Sequence, residues 1–90
     1  MQRVVDFFKG EVDIWENFAG RATSGGVEWQ ACRSSAEACR VIITELNDDP
    51  PKTVHAFKYL SDVARWTERR NQAAKAASLL EELQQQSGAQ

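Results

Sequence analysis

The chain has 90 residues, enough for one domain with a modest core and a thin margin of stability. Its 42% apolar content argues against intrinsic disorder, and a net charge of −2 from 11 basic and 13 acidic residues argues against a nucleic-acid-binding arm or an acidic tail. No long apolar run spans a membrane, and Met1 to Asp6 lacks the apolar core of a signal peptide, so a cytoplasmic protein is expected.

The first predicted helix covers about 2–21. Val5, Phe8, Val12, Trp15, Ala19 and Ala22 recur at three- and four-residue steps, the mark of one helical face. Val4, Phe7, Ile14 and Phe18 widen that face to about half the circumference, more than one neighbour needs. The Gly20–Gly26 stretch is the first turn. Gly20 or a later glycine is expected to take a left-handed conformation, and Ser24 to cap the next helix.

The second predicted helix covers about 26–46. Trp29, Cys32, Ala36, Cys39, Ile43 and Leu46 make the cleanest stripe in the chain, with Ile42 beside it. Cys32 and Cys39 on one helix are roughly 10.5 Å apart, too far for a disulfide. They read as reduced, buried thiols, which fits a reducing compartment.

The third predicted helix runs over about 50–86, with Asp49 as cap and Pro50 in the first turn. Phe57, Leu60 and Ala64 form its first face, with Thr53, Ala56 and Val63 alongside. The pattern fails over Thr67–Gln72. Ala73, Ala76, Leu80 and Leu83 then form a second face about 180° from the first. At about 55 Å the helix outruns its neighbours, so its C-terminal half should overhang or kink and pack on something else.

The expected fold is all-α: an antiparallel three-helix bundle with a long, overhanging or kinked C-terminal helix. The expected core is Val5, Phe8, Val12, Trp15, Trp29, Cys32, Ala36, Cys39, Ile43, Leu46, Phe57, Leu60 and Ala64.

Metal binding has only Cys32, Cys39 and His55 as soft ligands, short of the four a structural zinc site wants, and no metal is expected. The chain lacks a Gly-rich phosphate loop and a nucleophile–base grouping, so neither cofactor nor enzymatic activity is expected, and His55 is the sole histidine. The polar face of the first helix is acidic, which disfavours a membrane surface.

Protein binding has the best case. Tyr59, Val63, Trp66, Arg70, Ala73, Ala77 and Leu80 form a diagonal seam, with Arg65, Arg69 and Leu83 beside it, and Trp, Tyr and Arg are the types enriched at interface hot spots. The expected function is a non-enzymatic interaction module, a regulator, adaptor or inhibitor. Its partner is another protein or a second copy, most simply in a homodimer. The alternative is a nucleic-acid-binding module using the basic strip of Lys58, Arg65, Arg69 and Arg70, against which the acidic balance of the chain counts.

Overall fold

The computed structural model describes residues 1–88, and these form an all-helical bundle with no strand. Four α-helices follow one another: α1 (Gln2–Arg21), α2 (Val27–Leu46), α3 (Val54–Ala64) and α4 (Arg70–Gly88). A single turn of 3-10 helix, Thr67–Arg69, leads into α4.

Helix α1 starts on the Met1 carbonyl, which accepts from the amides of Val4 and Val5 at 3.1 Å. It ends where the Ala22 amide turns back to Phe18 and Ala19, with Arg21 in the last turn to complement the helix dipole. Gly25 is the residue that goes left-handed, at φ +80°, and Gly26, not Ser24, occupies the cap position of α2. A side chain at Gly26 would place its Cβ 3.1 Å from the Thr23 carbonyl, which explains glycine there. The tight turn folds α2 back along α1, and Arg40 of α2 pairs with Glu16 of α1 across the hairpin.

Helix α3 begins at Val54, four residues after the expected start. Pro51 disfavours helical geometry at the residue before it, so Pro50 is left in the linker, where the Asp49–Pro50 peptide is cis. The Lys52 amide donates to Glu45 O at 2.9 Å and ties this linker to the end of α2.

The expected single helix over 50–86 is broken. After Ala64 the chain passes through Arg65 and an extended Trp66 (φ −86°, ψ 102°), and α4 then packs back on α3. Neither glycine nor proline forces this break. It is decided by burial: Ala76, Leu79 and Leu83 reach 0–4% exposure in the same core as Val4, Val5, Phe7 and Phe8. Each buried Leu contributes about 1.5–3 kcal/mol, and two of them outweigh the few helical hydrogen bonds lost at the turn, worth about 1 kcal/mol each. The polar stretch therefore marks a reversal, and the overhang does not exist. The two apolar faces, opposed on a straight helix, meet the same core because the chain turns between them.

The expected core holds at Val5, Phe8, Ala36, Cys39, Leu46 and Leu60. Val12, Trp15, Ile43 and Ala64 pack half-buried against it. On α2, Ile42 is buried where Ile43 was expected; on α3, Ala56 and Val63 are buried while Phe57 is 39% exposed. The stripes keep their centres at Ala36, Cys39, Leu46 and Leu60 and differ from the expected ones at their edges. Trp29 and Cys32 lie half-buried near the turn of the first hairpin.

Helices α1 and α4 run in opposite directions. Arg3 pairs with Glu82 at 2.9 Å near one end, and Glu11 meets Gln72 at 2.6 Å near the other.

Candidate functional site

Glu11 is the charged side chain that the fold encloses completely, at 0% exposure. It lies on the apolar side of α1 between Phe8, Val12 and Trp15, where the α3–α4 turn closes over it. Burying a lone carboxylate is costly, so it must be paired and hydrogen-bonded. Its Oε1 accepts from the Tyr59 hydroxyl at 2.7 Å. Its Oε2 accepts from Arg69 Nη2 and from Gln72 Nε2, both at 2.6 Å. The indole N–H of Trp15 donates to the Tyr59 oxygen at 2.8 Å and extends the chain of bonds by one member.

The Arg69 guanidinium completes this centre. Its side chain is only 11% exposed, and it stands 5.5 Å from the ring centroid of Trp15 and 5.4 Å from that of Trp66. The two indoles lie 6.2 Å apart, so the cation has aromatic faces around it in addition to its carboxylate. Its Nη1 is buried without a hydrogen-bond partner among the described residues.

The titration behaviour follows from this packing. Burial pushes the Tyr59 hydroxyl far above the ordinary phenol range; the Trp15 bond works against that, and the neighbouring Glu11 adds to it. Burial also raises the Cys39 thiol to about 11, partly countered by its bond to Tyr59. For Arg69, burial disfavours the charge, but the bond to Glu11 and its negative charge outweigh this and hold the guanidinium above its ordinary value. Tyr59 and Cys39 therefore stay neutral and Arg69 stays charged throughout the physiological range.

A carboxylate, a phenol and a guanidinium at these distances resemble an acid–base site in composition only. Glu11 has no exposed surface on which a substrate could reach it, and the centre reads as a clasp joining α1, α3 and the start of α4. His55 sits elsewhere, on the surface, with Nδ1 3.0 Å from both carboxylate oxygens of Glu45. Among the described residues no group of three or more His, Cys, Asp or Glu is placed to hold a metal ion, and no helix is long and apolar enough to cross a membrane.

The residues of the expected binding seam divide into three sets. Tyr59 and Arg69 belong to the clasp, and Val63 and Leu83 are 2% and 1% exposed in the core, so these four are taken up by the chain itself. Ala73 and Leu80 are half-buried. Arg65, Trp66, Arg70 and Ala77 remain exposed. Of the basic strip, Arg69 is withdrawn into the clasp and Arg65 is paired with Asp62 at 3.1 Å.

Around the clasp an aromatic ridge reaches the surface. Phe18 packs on Trp15 at 5.8 Å and Trp15 on Trp66 at 6.2 Å. Phe18 and Trp66, the two ends, are 43% and 38% exposed. Two shallow grooves flank this ridge. One is lined by Ile14, Phe18, Glu68, Arg70 and Asn71; the other by Ala64, Arg65, Trp66, Arg70 and Ala73. Arg70 borders both.

Glu11, Gln72 and the Trp15–Tyr59 bond are not among the residues that the sequence pattern singled out. A signal was present: Glu11 is an acid inside the apolar stripe of α1, and Arg69 and Gln72 are three residues apart, on one helical face. An acid on a buried face demands a cation, and the polar stretch supplies one.

No protein-family model matches the chain, and no curated protein or solved structure shows significant similarity to it.

Proposed function

We propose that this protein is a small non-enzymatic interaction module, a regulator, adaptor or inhibitor, that docks another protein or a second copy of itself through the aromatic ridge. The observation that carries this reading is the state of Trp66. It is 38% exposed and stacked against a buried, ion-paired Arg69, so its position is set before any partner arrives. Pre-positioned aromatic side chains beside an arginine lose little conformational freedom on binding, which favours affinity. Phe18 and Arg70 extend the same surface on either side. The free thiols of Cys32 and Cys39 fit work in a reducing compartment such as the cytoplasm.

The test is affinity capture from the native host with the parent chain and with the Trp66→Ala, Arg70→Glu double variant. The parent retains a partner that the double variant loses, while thermal unfolding shows both chains folded. Equal retention by both chains would remove the ridge as the docking surface.

A further inference from the structure

We propose that α4 exchanges between two copies of this chain, the α3–α4 turn opening into one continuous helix. The partner is then a second copy, bound through the surface that α4 covers in the closed chain. This concerns self-association and does not rest on the aromatic ridge as a docking site.

Three observations carry the inference. The first is the hinge. From Thr53 to Gln86 there is neither glycine nor proline, and Arg65-Trp66-Thr67-Glu68-Arg69-Arg70 is made of residues that a helix accepts. Trp66 is held extended, and the turn around it is closed by three-residue bonds: Trp66 N to Val63 O at 3.0 Å and Arg69 N to Trp66 O at 3.2 Å. Straightening would convert these into regular helical bonds and remove the one extended residue.

The second is what holds the reversal. Helix α4 packs mainly on α3; it also meets α1 through Arg3 with Glu82 and Gln72 with Glu11, and Leu79 and Leu83 are buried in the shared core. None of them requires α4 to come from the same chain. An α4 from a second copy satisfies them equally, so the closed monomer and the exchanged dimer differ mainly in the hinge and in the cost of association.

The third is the direction of the apolar faces. On a continuous helix, Leu60 and the pair Ala76 and Leu83 fall on roughly opposite sides at 100° per residue. An exchanged dimer needs this geometry, since one half of the long helix lies on its own core and the other half on that of the second copy. The opened helix, about 50 Å long, reaches across two such bodies.

The test uses an Arg3→Lys chain, prepared both unlabelled and heavy-nitrogen-labelled, mixed in equal amounts, unfolded and refolded together at high concentration. A carbodiimide couples the introduced lysine amine to the Glu82 carboxylate where the two are paired. The coupled peptides are read by mass spectrometry from the dimer fraction of a sizing column. Exchange predicts a dimer in which about half of the peptides joining position 3 to Glu82 carry one label of each kind. A dimer whose coupled peptides each carry a single label has formed side by side and overturns the proposal, while leaving the docking ridge in play. Failure to find any dimer at the highest soluble concentration also overturns it. A second variant carries Gly-Ser-Gly-Ser inserted between Trp66 and Thr67. It relaxes the closed turn and weakens the straight helix, so the dimer constant should fall by about tenfold or more; an unchanged constant overturns the role of the hinge.

Discussion

Replacing Glu11 by alanine should remove about a fifth or more of the stability of this fold. The carboxylate accepts three hydrogen bonds, from Tyr59, Arg69 and Gln72. Without it the Arg69 guanidinium, 11% exposed, is a buried cation with no anion, and the Tyr59 and Gln72 donors lose their acceptor. Breaking a buried pair by removing one partner costs about 3–5 kcal/mol. A chain of this length has about 5–14 kcal/mol in total, from about 0.05–0.15 kcal/mol per residue. Even the lower figure lowers the melting midpoint by about 12 °C, at about 4 °C for each kcal/mol in a domain of this size. Equilibrium unfolding in urea reads this directly, because Trp15 and Trp66 flank Arg69 and report the clasp by their fluorescence. The companion variant is Glu11→Leu with Arg69→Met. It leaves no orphan charge and should lose less than the sum of the two single changes, by about 0.5–3 kcal/mol of coupling. A Glu11→Ala chain within about 1 kcal/mol of the parent would refute the reasoning, and so would strict additivity of the two changes.

Three further outcomes follow from the same packing. Leu83→Ala should cost about 2–5 kcal/mol in urea unfolding, because Leu83 is 1% exposed; on a helix that overhangs its neighbours the change would be nearly silent. Stability should also decline in alkali. The Cys39 thiol is raised from 9.0 to about 11, so below pH 9 the thiol is neutral in both states and its contribution is complete. Between about pH 9 and 11 the unfolded chain releases the proton while the folded chain retains it, and stability falls by up to about 1.4 kcal/mol per pH unit. Tyr59, raised in the same direction, prolongs the decline. Alkylation at mildly alkaline pH should therefore label half-buried Cys32 well before Cys39, and equal rates at the two thiols would contradict the burial of Cys39.

Much of the helical architecture was legible from local pattern. The three- and four-residue steps of apolar side chains place α1 and α2 correctly, because a helix that must bury one face writes that face into its sequence. The glycine cluster marks the first turn for an equally local reason, since Gly25 needs a positive φ that other side chains resist. Of the binding seam, Arg65, Trp66, Arg70 and Ala77 lie at the surface, while Tyr59, Arg69 and Leu83 are drawn into the clasp and core.

What the sequence by itself determined, then, is helical content, the first hairpin and the presence of two apolar faces in the region 54–86. Only the tertiary structure decided that those faces share a core. No local rule breaks the helix at Trp66: its neighbours favour continuation, and the interruption arises because Leu79 and Leu83 gain more from burial in the shared core than the turn loses in backbone bonds. The same long-range fact explains the clasp. Glu11 and Arg69 are 58 residues apart, and nothing in the local helix preference of either requires the other. Once the chain reverses, they meet at a buried site, and there the pairing of charge becomes obligatory.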